Sequence, residues 1–478
     1  MHPDAPIARV PPPLLTANQL KYHERAARRR TGNEYSVPIV LLVLAAVSLN
    51  GILAFLNAHG LPIGRTSVVI GEFLIFAGAT VVIMASGARS SDTAPALFLA
   101  IFVADALLLS LLNGTIAVEM ARNAAIISLF LMLGARISSA GLNRCVAVAA
   151  VIVTMVLIVE IFSVETFAAQ FQPAAYFSQT RGIPPSQFDE LGLFSNASGF
   201  DDRFAILRVI DHRASSIFLE QVSLANFAVV LAIFLTCRWG ELTVAQKSGL
   251  GLLIALILVT TNSRLGLGLT LLAPLIFWGA QKLRRYISLL VMPTILIVAL
   301  VITLSLPPTD EDVLQGRLGL TIRNLATLDL PAIAGLGVTR TQEFADSGYA
   351  YVIAASSILG LLLLWLFVSL VAAGSSKELR RCSIFLSIYV FSNLMVSGTS
   401  TFSIKTAALL WLLVGYLRAA DGPGRPAELT GSRQSMTLLG CGKLPAIQIS
   451  SIPPDGRKRH SAATRRLAAC YDPSLAER

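Results

Sequence analysis

Two polar stretches, far apart in a chain dominated by apolar runs, hold the residues best suited to chemistry. Residues 211–220 read Asp-His-Arg-Ala-Ser-Ser-Ile-Phe-Leu-Glu and feed straight into an apolar run, 221–236. Arg213 and Glu220 are thus expected at the mouth of a membrane helix, where an unpartnered cation or carboxylate is costly and marks a functional candidate. The second stretch, 313–328, has Leu314, Leu318, Ile322 and Leu325 at the spacing of an amphipathic helix. Arg317, Thr321 and Asn324 fall together beside that stripe, and Arg323 points away. Gly335-Leu-Gly337, Arg340 and Asp346-Ser-Gly-Tyr349 follow. A guanidinium stays charged and presents two parallel donors, so arginines from two loops suit a diphosphate. Glu220 and Asp346 suit orienting or deprotonating a hydroxyl. The plainer reading of the same residues is interfacial anchoring and solvated surface charge.

The elements that must position these groups are membrane helices. The 478-residue chain is 54% hydrophobic and only 14% charged, well below the charged fraction of a soluble domain. Apolar runs recur at lengths that span a bilayer. The expected fold class is all-α, a polytopic helix bundle of about twelve transmembrane helices with two long outer loops containing short helices. The predicted spans are 36–57, 66–86, 94–112, 117–135, 144–162, 218–237, 248–262, 265–281, 287–306, 349–371, 382–398 and 402–418. The two flanking Asn262-Ser-Arg264 are short, and a re-entrant pair there leaves the sidedness unchanged.

Charge sets the orientation. Residues 1–35 form a basic amino-terminal segment with Lys21, Arg25, Arg28, Arg29 and Arg30, and no short apolar core of a signal peptide precedes the first span. Loops on the same side carry Arg89, Arg136, Arg144, Arg238, Lys247, Lys282, Arg284, Arg285, Lys377, Arg380 and Arg381, whereas the short opposite loops hold Arg65, Arg264 and Lys405. Positive-inside bias therefore predicts both termini in the cytoplasm and the long loops, 163–217 and 307–348, outside. The tail, 419–478, is rich in Pro, Gly, Ser and Arg and reads as disordered. The net charge of +10 lies mostly in short loops and tails, so no nucleic-acid partner is expected. None of Cys145, Cys237, Cys382, Cys441 and Cys470 falls in an outer loop, which excludes an external disulfide framework.

Other charged groups are fewer. The first outer loop carries Arg181, Arg203, Arg208 and Arg213 with Asp201, Asp202, Asp211 and His212; a helix over 202–211 would put Phe204, Leu207 and Asp211 on one face with Arg208 beside it. Asn196-Ala-Ser198 matches a glycosylation sequon by pattern. Glu119 and Arg122, three apart, are expected to pair, and Glu160 falls near the outer end of the fifth span. No metal-ligand set, nucleotide loop or Ser-His-Asp pattern stands out, so no metal and no cofactor is expected. Gly266-Leu-Gly268 suits helix packing.

The stretch 213–224, then Thr261-Asn-Ser-Arg264-Leu-Gly-Leu, then Gly316-Arg317, Gly335-Leu-Gly337 and Asp346-Ser-Gly-Tyr349, resembles the Wzy-type polysaccharide polymerase and O-antigen ligase superfamily over about residues 36–418. The motifs are short and degenerate, and their order relative to two outer loops adds weight. The resemblance implies glycosyl transfer on the periplasmic face of the bacterial inner membrane from a saccharide on undecaprenyl diphosphate, without metal or nucleotide. Ligases of that superfamily typically carry a histidine in the second outer loop; this loop has none, which favours a polymerase.

On that reading an acceptor sugar hydroxyl displaces undecaprenyl diphosphate from the anomeric carbon. Arg213 and Arg317 stabilise the leaving group, and Glu220 or Asp346 orients or deprotonates the hydroxyl. Arg208, His212, Arg264, Asn324, Arg340, Tyr349 and Arg122 are the further candidates for substrate contact. Expected partners are the undecaprenyl-diphosphate-linked oligosaccharide, membrane lipids, a chain-length regulator and a flippase. The alternatives are an O-antigen ligase and a lipid-linked sugar flippase or transporter; a transporter would place its contacts at mid-membrane.

Overall fold

The computed structural model describes residues 34–195, 210–307, 309 and 313–421. The described chain is helical and contains no strand, only an isolated antiparallel bridge between Phe188 and Phe194. Among the described residues ten helices are long and apolar enough to cross a membrane. The other two predicted spans, 117–135 and 402–418, also fold as helices, Glu119–Gly134 and Ile404–Asp421. One has only 16 residues; the other carries Lys405, Arg418 and Asp421. Neither needs to be long and uniformly apolar, because other helices sheathe them. They pack against each other through Gly134 and Gly415, where a Cβ would collide with the carbonyl oxygens of Leu412 and Leu131. Small residues allow this close backbone approach, the main route to helix association where lipid is as apolar as leucine.

Helix starts follow local sequence. Ser138, Thr243, Ser263 and Ser376 each precede a helix and accept a hydrogen bond from a first-turn amide, satisfying donors the helix itself leaves open. We label the helices that position charged groups: α1 (Ser36–Ala58), α2 (Arg65–Ala85), α3 (Thr93–Asn113), α4 (Glu119–Gly134), α5 (Ser139–Phe162), α6 (Val164–Phe171), α7 (Pro173–Arg181), α8 (Gln221–Arg238), α9 (Val244–Thr261), α10 (Arg264–Leu271), α11 (Ala273–Gly279), α12 (Val291–Ser305), α13 (Leu314–Ala326), α14 (Leu330–Ile333), α15 (Gly348–Val371), α16 (Lys377–Val396) and α17 (Ile404–Asp421).

The long helices alternate in direction. At one end Ser36 meets Ser138 (Oγ–Oγ 3.0 Å), and Arg418 Nη1 donates to the Ser91 carbonyl at 3.1 Å. Residues 36 and 421 therefore share an end, the one that holds Arg136. Both long loops lie at the opposite end. The first, predicted as a polar loop, contains α6 and α7, which bury Phe167, Tyr176 and Phe177 with Ala54 and Leu219 in a small second core. Residues 202–209 of the predicted helix, the sequon at 196–198 and the tail beyond 421 lie outside the described residues; 210 and 211 are bends.

Candidate functional site

The first polar stretch is not the beginning of a helix. α8 starts at Gln221, three residues later than predicted, and 210–220 is a folded turn pinned to α5 and α9. The Ala214 amide donates to Thr260 O (3.0 Å) and Arg213 Nε to Thr261 O (2.8 Å). Glu160, on α5, is fully buried beneath the turn. It accepts from the Ser215 amide (3.0 Å to each oxygen), the Ser215 hydroxyl (3.1 Å) and the Ser216 amide (2.6 Å). Ser216 Oγ donates to Val153 O at 2.8 Å. Ser216 and Leu219 take left-handed backbone conformations, φ 49° and 60°, which side chains other than Gly, Asn and Asp rarely adopt.

At the end of that turn Glu220 is held by two cations. Arg181, from the end of α7, pairs with Oε1, and Lys405 Nζ, from the first turn of α17, lies 2.5 Å from Oε2. Ser223 Oγ donates to Oε2 at 2.8 Å, and Lys405 also donates to Phe218 O at 3.3 Å. Lys405 is almost fully buried, whereas Arg181 is 47% exposed. Two cations on one carboxylate leave this cluster net positive. Burial by itself would raise the Glu220 carboxyl, but Arg181 and Lys405 outweigh it and hold the group well below the usual carboxylate range.

The second stretch forms α13 as predicted, two residues shorter at its end. Leu318 is buried and Ile322 and Leu325 pack on the core, but Leu314 is exposed. Thr321, expected beside the stripe, is instead a docking residue: it is fully buried, with its hydroxyl on Met395 O (2.9 Å). Arg317 then stands 36% exposed, with Nη1 3.9 Å from Asp346 Oδ1; the Asp346 side chain is 79% exposed.

Residues 398–403 link the two stretches. The Thr399 amide donates to Ala345 O at 3.2 Å beside Asp346, and Asn226 Nδ2 on α8 donates to Ser400 Oγ at 3.2 Å. Gly398 makes the approach possible: its φ is 61°, and a Cβ there would strike Ala345 O. The same segment runs into Lys405. Arg317, Asp346, Glu220 and Lys405 thus share one end of the bundle.

The other predicted contact residues divide. Arg208 lies outside the described residues. His212 is mostly buried, its Nε2 3.7 Å from Glu160 Oε1. Arg264 is exposed at the first position of α10, and Asn324 is half-buried on α13. Arg340 pairs with Glu343 (3.1 Å) and covers the Phe344 ring. Tyr349 lies inside the bundle, not at the open surface; it is fully buried, its hydroxyl on Phe391 O at 3.1 Å. Arg122 does not pair with Glu119. Its fork grips Glu72 of α2, with Nε donating at 2.6 Å, and Glu119 instead faces the Tyr351 hydroxyl at 3.4 Å. A partner on a packed neighbouring helix displaced the one three residues away.

Sequence reasoning missed Lys405, Glu72 and the contacts of Glu160 with Ser215 and Ser216. It counted Lys405 among short-loop charges although it falls inside a predicted span, where a lysine demands a carboxylate. That signal was available; the identity of the carboxylate was not. Among the described residues no group of three His, Cys, Asp or Glu is arranged to hold a metal ion. Searched against family models, curated proteins and solved structures, the chain matches none.

Proposed function

We propose that this chain is a polysaccharide polymerase: a glycosyltransferase of the bacterial inner membrane that joins oligosaccharide repeat units carried on undecaprenyl diphosphate, for exopolysaccharide or O-antigen synthesis. The observation that carries the reading is the half-exposed Arg317 beside exposed Asp346, on the same end of the bundle as Arg213 and the net-positive cluster around Glu220. Both termini face the cytoplasm and this end faces the periplasm, in line with the lysines and arginines concentrated in the loops of the Arg136 end.

In the reaction, the acceptor sugar hydroxyl oxygen attacks the anomeric carbon of the donor saccharide. The bond from that carbon to the diphosphate oxygen breaks, and undecaprenyl diphosphate leaves with the electron pair. Arg213 and Arg317 stabilise the charge that develops there, typically the largest single contribution in such a step. The hydroxyl proton passes to a carboxylate. Asp346, with its side chain 79% exposed beside Arg317, is the candidate, because both oxygens of Glu220 are engaged by Arg181 and Lys405, which hold that group well below the usual carboxylate range. Glu220 fixes Lys405, Arg181 and the start of α8.

The test has two parts. A strain lacking the protein should accumulate single repeat units on lipid at the outer face, and purified protein should extend lipid-linked saccharide in the presence of chelator without ATP. Absence of repeat units from the outer face would favour a flippase, and strict dependence on ATP would remove the polymerase reading.

A further inference from the structure

We propose that Glu160 is a positioning residue, one that never touches substrate but sets the geometry of the diphosphate-binding turn by holding it against α5. The role assigned to that turn rests on the polymerase reading; the clamp itself does not.

The argument starts from the type of contact. All the hydrogen bonds to Glu160 come from donors: the Ser215 amide, the Ser215 hydroxyl and the Ser216 amide. A carboxyl group with no exposed surface is costly inside a membrane protein unless such bonds compensate it. A packing role alone would be met by leucine. What the carboxylate supplies is directional: two successive amides can converge on one side chain only when the backbone turns sharply.

That turn is strained. Ser216 and Leu219 both hold positive φ, and left-handed non-glycine residues persist only where surrounding contacts over-determine them. The Glu160 contacts fall between the two functional groups of the turn, with Arg213 two residues before Ser215 and Glu220 four residues after Ser216. Once the clamp is lost, the local backbone can relax toward extended conformations and Arg213 shifts with it. A misplacement of about 1 Å in a reacting arrangement can lower a rate about 10²-fold. Glu160 lies 55 residues from Ser215 in sequence, so the clamp is a tertiary device.

The experiment uses the full-length protein in lipid nanodiscs and compares wild type with Glu160→Gln and Glu160→Asp. Glutamine keeps one acceptor oxygen but turns an NH2 group toward two backbone amides. Aspartate keeps the carboxyl group and draws it back by one methylene. Amide hydrogen exchange is read over peptides covering 212–219, with peptides from α8 and α15 as folding controls. Polymer formation is measured alongside as kcat and KM. In Glu160→Gln, exchange over 212–219 should rise about tenfold or more while α8 and α15 keep their protection, because local opening precedes global unfolding. kcat should fall with KM little changed, Glu160→Asp should lie between the two, and adding Arg213→Ala to Glu160→Gln should lower the rate by much less than it does in wild type.

Unchanged exchange over 212–219 in both variants would overturn the clamp whatever the activity. Raised exchange with wild-type kcat, in a protein that Arg213→Ala inactivates, would overturn its positioning role. If Glu160→Gln loses protection throughout, Glu160→Asp decides by the same criteria. If wild type makes no polymer, the polymerase reading fails, and the exchange data still decide the clamp.

Discussion

The two ends of this bundle hold arginines in different settings. At the Arg136 end Arg136 and Arg238 are enclosed, although Arg144, Arg284 and Arg285 there are exposed. Arg136 has no exposed side-chain surface and forks onto Asp92 at 2.9 and 2.7 Å, with further donors on Met132 O and Gly87 O. Arg238 is equally enclosed, 2.8 Å from Glu241 and 2.7 Å from Ser139 Oγ, with its guanidinium over the Tyr416 ring. At the other end Arg181 and Arg317 stand a third to a half exposed, and the contact between Arg317 and Asp346 is long, 3.9 Å. A guanidinium enclosed by its own protein, as those of Arg136 and Arg238 are, is a structural joint. One that stays a third to a half exposed can still be reached from outside the protein. The lesson is that arginine count along the sequence says little; the exposure of each guanidinium in the fold separates the two settings.

Four predictions follow this contrast, from the largest effect to the smallest. Arg136→Ala removes the fork that Asp92 accepts in an enclosed site, leaving only the weaker fields of Arg89 and Arg418; breaking such a buried pair typically destabilises by about 3–5 kcal/mol. It should cut the yield of folded protein and lower Tm strongly in a detergent melt. A normal Tm would erase the distinction between the ends.

Arg213→Ala and Arg317→Ala should do the reverse. Yield and Tm stay near wild type while polymer formation drops about 10²-fold or more, the usual scale for removing one donor from a developing anion. Arg213→Lys keeps the charge, loses the planar fork and should remain impaired. Arg323 on α13 is exposed and should tolerate alanine. Wild-type polymer levels from both alanine variants, at equal protein levels, would remove these arginines from the site.

Lys405 tests whether the open end also contains a joint. Lys405→Met leaves Glu220 paired with Arg181 alone and should destabilise; adding Glu220→Gln should recover part of the loss. A double-mutant cycle of Tm or denaturant midpoints should give a coupling of about 0.5–3 kcal/mol. Strict additivity would mean that the 2.5 Å contact carries no energy.

The smallest effect is in pH. The Glu220 carboxyl is lowered in the folded protein by Arg181 and Lys405 against the opposing effect of burial. A lowered folded value means that the stabilisation is complete above the ordinary carboxylate range and is lost only as pH falls below it, through the depressed value. Between about pH 5 and pH 8 Glu220 should therefore contribute no slope to stability. Any acid limb in the polymer rate over that range should keep its midpoint in Glu220→Gln. If the substitution abolishes the limb, Glu220 titrates there and the roles of the two carboxylates need exchanging.

The sequence by itself determined much of the frame. Apolar runs placed the long helices to within a few residues, because the drive to bury backbone polar groups in lipid acts on each segment separately. The spacing of Leu318, Ile322 and Leu325 placed α13, and the loop charges set the two ends apart. Local reasoning also drew attention to Arg213, Glu220, Arg317 and Asp346, since charges at a span's mouth stand out against an apolar background. Only the tertiary structure decided who meets whom. Glu220 finds Lys405 across 185 residues, Glu160 clamps Ser215 and Ser216 across 55, and Arg122 turns from Glu119, three residues away, to Glu72, fifty away. Tyr349, in a motif that drew attention as a substrate contact, is enclosed by the bundle. Hydropathy and periodicity are properties of a segment and can be read from it. The partner of a buried charge is a property of helix packing, which depends on where Gly134, Gly415 and Gly398 let backbones approach, and no local pattern encodes that.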